Sequence, residues 1–276
     1  MKNITIKVSL LIAFFIGNMA LPLHAQILMQ GGYSHEFVTL PGGVYKKSFT
    51  LTNRGRSSEE VKLYLEDYMF NAGGKSQFTA ARLRKNPRSN SQWVRFNQNR
   101  VSLAPGASKT INYTMTIPKG SFSGTYWSAL IIEPIAKSSL ESSQKNNDRK
   151  KVQMTIKQIS RHAIQIVAQM GDSGKVNLQL KHPVMKKEAT KRSFSLDGYN
   201  LGNRWIKPII WMDVYNQQGH FIGKFKGDGA RIYPNTSATL TVDISRLKKG
   251  KYKGLFVVDG GNDSDILATD INLTIK

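Results

Sequence analysis

The sequence predicts an all-β chain: two tandem immunoglobulin-like β-sandwich domains behind a signal peptide. Three observations predict it. Short segments of alternating apolar and polar residues recur along the chain, as half-buried strands require. Turn residues such as Pro41-Gly42-Gly43, Gly73-Gly74, Pro105-Gly106 and Lys119-Gly120 punctuate the first half. No stretch has a helical period. Many short strands between frequent turns argue for sandwiches.

The first 25 residues read as a secretory signal, with Lys2 and Lys7, an apolar run from Val8 to Ile16, and a cleavage site Leu23-His24-Ala25 before Gln26. The run is too short for a comfortable membrane span. The mature chain is therefore expected outside the cytoplasm, with no transmembrane span. The 276 residues contain no cysteine, which excludes disulfides and thiolate metal sites.

In the first domain, residues 26–171, Tyr45–Asn53 alternates and stops at the turn Asn53-Arg54-Gly55. Val61–Phe70 keeps Val61, Leu63 and Leu65 in register. Ser108–Ile117 alternates up to Pro118, and Thr125–Ile132 is continuously apolar, as a central strand should be. Residues 79–92 read as a loop or one short helix. Residues 137–151 are rich in Ser, Lys and Asn and read as a loop. Then comes VQMTIKQISRHAIQIVAQM, residues 152–170. As one strand it would span roughly 60 Å, far beyond the usual length. Ile159 breaks the alternation, which resumes through Ile164, Ile166, Ala168 and Met170. A bend near 157–161 divides it into 152–156, free for a partner, and 163–170, part of the fold.

A composition change near Gly171–Gly174 opens the second domain, residues 172–276. Strands are expected at 176–180, 193–201, 208–215, 221–225, 239–244, 252–258 and 266–275. About seven strands in about 100 residues suit a second sandwich.

Functional chemistry is sparse. His35, His162, His182 and His220 lack metal-ligand spacing and read as surface or edge residues. Asp259, Asn262, Asp263 and Asp265 could offer oxygen to Ca²⁺, but Asp259–Asp263 reads as an ordinary hairpin turn. No nucleophile elbow, phosphate loop or dinucleotide fingerprint appears. The expectation is a non-enzymatic protein with no cofactor and no metal. Trp127 and Trp211 lie within strand patterns and are expected in cores; Trp93 and Trp205 could be exposed. The formal charge of +22 becomes +20 without residues 1–25, which hold two lysines and no acid. Such a field favours anionic partners. Nucleic acid does not fit an exported chain without a recognisable binding motif.

Several segments resemble the periplasmic chaperones that assemble pilus subunits: VYKKSFTLTN (44–53), SLAPGASKTINY (102–113) and SGTYWSALIIEP (123–134), followed by a polar loop and an alternating strand. The resemblance implies that Val152, Met154 and Ile156 are lent to an incomplete protein subunit by strand addition, a mode in which backbone hydrogen bonds give affinity. It also implies that Arg161 grips the subunit's terminal carboxylate, for which a guanidinium is suited. The second cation implied on the first strand is missing from YSHEFVTL (33–40), where His35 is mostly neutral at pH 7. GSFSGTYWSALIIEP (120–134) and residues 230–258 also resemble two-domain surface proteins of WxL-type gene clusters. That likeness implies an envelope adhesion module, with Lys181–Arg192 and Arg246–Lys253 as faces for anionic glycan or wall polymer. The periplasm is the expected compartment, with the cell surface or exterior as the alternative.

Overall fold

The computed structural model describes residues 27–135, 160–261 and 266–276. Among them the regular structure is strand, apart from two 3-10 turns at Ala81–Leu83 and Ser91–Trp93. Among the described residues ten strands precede residue 171: β1 (Ile27–Gln30), β2 (Ser34–Thr39), β3 (Val44–Asn53), β4 (Glu59–Phe70), β5 (Ser76–Ala80), β6 (Val94–Phe96), β7 (Arg100–Leu103), β8 (Ser108–Thr116), β9 (Gly124–Pro134) and β10 (His162–Met170). They form two sheets. One has the order β1-β3-β8-β6; the other has the order β2-β10-β9-β4-β5, with β7 also on β4.

Alternation builds the sandwich core. Phe49 and Leu51 of β3 and Ile111, Tyr113 and Met115 of β8 point inward from one sheet. Val61 and Leu63 of β4, Leu130 and Ile132 of β9, and Ile164, Ile166 and Ala168 of β10 meet them from the other. The chain enters by β1 in the first sheet, turns at Gly31-Gly32, and continues as β2 in the second. There β2 lies parallel to β10, with Gln165 opposite Ser34 and Met170 opposite Thr39.

His35 sits under that crossover and is wholly buried (0 % exposed). Its Nδ1 meets the Tyr113 hydroxyl at 2.7 Å and its Nε2 meets the Gly31 carbonyl at 2.8 Å. A neutral imidazole fits both neighbours, because Nε2–H donates to the carbonyl and Nδ1 accepts from the hydroxyl. The expectation of a surface or edge histidine is corrected for His35. On β2 its side chain shares the inward face with Phe37 and Thr39, while Ser34, Glu36 and Val38 face the other way.

The region 79–92 is neither a plain loop nor one helix. It contains the end of β5 and the first 3-10 turn, and its last two residues begin the second. Its residues 88–90 pair along Trp127, whose backbone N–H donates to the Arg88 carbonyl while the Asn90 N–H donates to the Trp127 carbonyl. Buried Asn90 then donates to the Ile166 carbonyl at 3.0 Å and accepts from Ser128 Oγ at 2.6 Å. This polar wedge satisfies backbone where β4 and β9 diverge beyond their last paired residues, Glu66 and Ala129.

Seven strands follow: β11 (Leu178–Glu188), β12 (Lys191–Asn200), β13 (Ile209–Asn216), β14 (Phe221–Asp228), β15 (Ser237–Asp243), β16 (Gly250–Asp259) and β17 (Ile266–Ile275). They make one curled sheet, β11-β12-β15-β14-β13-β16-β17, closing over Phe194, Leu196, Met212, Val214, Leu240, Val242, Phe256 and Val258. β14 makes the sheet curl. Its residues 221–226 ladder with β13, and Gly227 and Asp228 pair with β15. A side chain at Gly227 would collide with the Thr241 carbonyl oxygen, so glycine lets the two halves approach. β11 extends well past the expected residue 180 as an exposed edge strand.

Trp211 is not in the core. Met212 and Val214 point inward, so Trp211 faces outward, where its Nε1–H donates to Asp213 Oδ2 at 2.9 Å and Lys224 lies over its ring. Trp93 is partly buried against Phe122 and Tyr126. Asp259 accepts from the Gly261 N–H at 2.8 Å, whereas the other three candidate calcium ligands lie outside the described residues. Among the described residues no cluster of three or more potential metal ligands occurs.

Burial lowers the His35 pKa from its ordinary 6.5; the Gly31 carbonyl raises it in part, and the nearby Lys47 charge lowers it further. Between the lowered value and 6.5 the unfolded chain binds more protons than the folded one. His35 therefore contributes nothing to the pH dependence of stability well above pH 6.5 and destabilises the fold as pH falls through it, by at most about 1.4 kcal/mol per pH unit. Urea midpoints measured from pH 8 to 5 should show this loss, and His35→Gln should flatten that part of the curve. A second substitution, Gly227→Ala, should destabilise by roughly 1–3 kcal/mol, read from the same denaturation curves.

Candidate interdomain binding cleft

The outer face of the β2-β10-β9-β4 sheet turns toward the second sandwich. The same period of two that buries Leu63, Leu130 and Ile164 sends their neighbours outward. β4 supplies Tyr64, Glu66 and Tyr68, β9 supplies Trp127 and Glu133, β10 supplies Gln165 and Val167, and β2 supplies Ser34 and Glu36.

One end of this face is closed by the second domain. Trp127 is 1 % exposed, yet it belongs to a separate cluster with Val167 and Tyr233. Its ring stacks on Tyr233 with centroids 4.7 Å apart and planes 7° from parallel. Trp127 Nε1–H donates to the Tyr68 carbonyl at 2.6 Å, so the ring's one polar atom is satisfied. The expectation that Trp127 is buried holds, but it is buried between domains. Trp205 is half-buried beside it, under the guanidinium of Arg231 at 4.7 Å.

Arg231 crosses the junction. Its Nη1 donates to Ser34 Oγ at 2.6 Å and to Gln165 Oε1 at 3.0 Å, and its Nη2 pairs with the Glu36 carboxylate. The Tyr233 hydroxyl donates to the same Gln165 oxygen at 2.8 Å. Burial pushes the Tyr233 phenol up to about 12, against the opposing pull of Arg231. Two further ties fix the domains. Ala72, at the β4–β5 turn, donates its N–H to Ser237 Oγ and accepts from Thr239 Oγ1. The Thr125 N–H donates to the Asn203 carbonyl at 2.8 Å. Gly124 beside it, at φ +75°, leaves no room for a side chain against that carbonyl.

The other end of the face is open and carries a charged cluster. Arg161, just before β10, is exposed and donates from Nη1 to the Tyr64 hydroxyl at 3.3 Å. Tyr64 in turn donates to Glu133 Oε2 at 2.5 Å. Burial raises the Glu66 carboxyl above its ordinary range; Arg161 offsets the rise and Glu133 adds to it. Arg161 and the Gln165 contacted by Arg231 lie four residues apart on one strand face, about 13 Å along β10.

Among the described residues, β10 has ladder partners on both sides from Gln165 onward, and its residues His162–Ile164 pair with β9. Of the sequence-predicted site residues, Arg161 is placed at this open end, while Val152, Met154 and Ile156 lie outside the described residues. Ile164, Ile166, Ala168 and Met170 are all in the first domain's core. Sequence reasoning missed Arg231 and Tyr233. They flank buried Ile232, so alternation places them on one face, but nothing local indicates that residues 34–36 and 165 lie opposite.

No family model and no curated protein matches the chain. Among solved structures it is similar to a chain from a chaperone–tip adhesin complex of CFA/I fimbriae biogenesis, at 13% identity and TM-score 0.48, covering 89% of this chain and 98% of that one. It is similar to the class 5 fimbriae chaperone CfaA at 14% identity and TM-score 0.45, covering 88% and 98%. The E. coli chaperone DraB gives 12% identity and TM-score 0.41, covering 89% and 98%.

Tyr233→Ala should cost roughly 3–5 kcal/mol, as expected for emptying the space of a buried ring. Tyr233→Phe should cost about 1 kcal/mol, the hydroxyl's hydrogen bond to Gln165. Denaturation followed by tryptophan fluorescence separates the two, because Trp127 reports directly on the junction.

Proposed function

We propose that the chain is a non-enzymatic, exported, periplasmic chaperone-like protein that holds a protein subunit by β-strand addition. In this reading the signal ends at Ala25, the domains meet at residues 171–172, and the subunit lies against the cleft. The observation that supports it is the open side of β10. Among the described residues, its first three residues pair on one side only. The sequence leading into them carries Val152, Met154 and Ile156 at alternate positions. An unpaired strand edge offers backbone N–H and C=O groups, and alternate apolar side chains supply pockets with their contents.

Arg161 stands at that edge, on the face that also carries Tyr64, Glu66 and Glu133. A terminal carboxylate entering the cleft would find a permanent cation there, held by a phenol. The two carboxylates beside Arg161 temper the attraction, so backbone pairing and apolar burial carry most of the affinity. Three donated side chains would contribute roughly 1.5–3 kcal/mol each before ordering costs.

Met154→Asp or Ile156→Asp should leave a folded monomer with an unchanged melting curve and abolish co-purification of the subunit from the native envelope. Unfolding of either variant would place these residues in the core and end the strand-addition reading. Arg161→Ala should weaken capture severalfold without shifting the melting temperature, and equal affinity would remove Arg161 from the site.

A further inference from the structure

The end of the second sandwich farthest from the junction has a composition that the cleft does not use. β12, β15 and β17 run so that Lys191, Asp243 and Ile275 lie at this far end, while Asn200, Ser237 and Ile266 lie toward the first domain. Three connections converge there: the β11–β12 tip, the β13–β14 turn and the loop from β15 to β16. Arg192 fastens the first to the third, donating from its backbone to Ser245 Oγ at 2.8 Å and from Nη2 to the Leu247 carbonyl at 2.6 Å. Asn216 opposite Tyr252 brings the β13–β14 turn alongside.

Exposed cations crowd these connections: Lys187, Lys191, Arg246, Lys248, Lys249 and Lys251. The nearby carboxylates are Glu188, Asp243 and Asp213; Asp243 already accepts from the Ser245 N–H at 2.8 Å, and Asp213 pairs with Lys224 at 3.9 Å. Beside the cations stand two large apolar side chains, Phe221 at 58 % and Ile222 at 47 % exposure. Ile222, Lys224, Arg246 and Lys248 share one shallow cavity of about 500 Å³. The structure therefore juxtaposes exposed apolar groups with a concentration of positive charge at this end.

We propose that this end docks on a bilayer surface carrying anionic phospholipid headgroups. Lysines around the rim meet the phosphates, and Phe221 and Ile222 enter the boundary between headgroups and acyl chains. A soluble polyanion would need only the charges. A lipid interface uses both features, because apolar burial and attraction to anionic headgroups add there. The contact would leave the cleft, at the opposite end of the domain, open, and it does not depend on strand addition.

The test is co-sedimentation of the mature full-length chain with phosphatidylcholine vesicles containing phosphatidylglycerol. Binding is expected to these and not to pure phosphatidylcholine, and it should weaken as salt screens the headgroups. The double variant Phe221→Ser/Ile222→Ser should bind anionic vesicles at least about tenfold more weakly while retaining its affinity for heparin, a soluble polyanion. Lys248→Glu/Lys249→Glu should weaken both. Equal binding to neutral and anionic vesicles, or no binding, overturns the proposal. So does an apolar double variant that binds vesicles like the parent, which would leave a polyanion site only. Melting curves check that the variants are folded, and the single substitutions replace the double one if it is destabilised.

Discussion

The stack of Trp127 on Tyr233, with Arg231 reaching past it to Ser34, Gln165 and Glu36, determines how the two sandwiches sit. Each sandwich has its own apolar core, so neither needs the other to bury its strands. The angle between them is a separate problem. Apolar contact alone tolerates sliding, whereas a guanidinium with several fixed acceptors does not. The Ala72 and Asn203 contacts add restraints at separate points, so the cleft face is presented in one orientation.

That orientation gives the cleft two chemically different ends. At the closed end, Arg231 is occupied by groups of the first domain and serves as structure. At the open end, Arg161 is tied to one phenol and stands near Glu66 and Glu133. Removing Arg231 would therefore disturb the junction, while removing Arg161 would chiefly change what the open face attracts. Two arginines on one cleft thus differ in burial and partners.

The strand pattern was legible at β3, β8 and β17, where apolar residues alternate over several positions. Expected Ile266–Ile275 coincides with β17, and expected Tyr45–Asn53 differs from β3 by one residue. The short strands β6 and β7 offer too few residues for a period to emerge, and β5 begins within a polar stretch. Trp211 was misread by residue type, although the flanking Ile210, Met212 and Val214 already assign it to the opposite face. His35 is the converse case, since β2 buries a polar residue whose two ring nitrogens find partners on Gly31 and Tyr113. Arg231 could not be located, because its partners Ser34 and Glu36 are nearly two hundred residues away in the chain, Gln165 is 66 away, and no local periodicity encodes such contacts.

The parallel pairing of β2 with β10 imposes an order on assembly. β2 emerges from synthesis well before β10, the last described strand of its sandwich. The sheet that contains both cannot close until residue 170 is available, so the early strand waits with an unpaired edge while some 130 residues follow it. Non-local pairings of this kind slow folding and lengthen exposure of sticky edges. The short length of β1 and β2, and the polar Ser34 and Glu36 on the latter, limit the hazard during that interval.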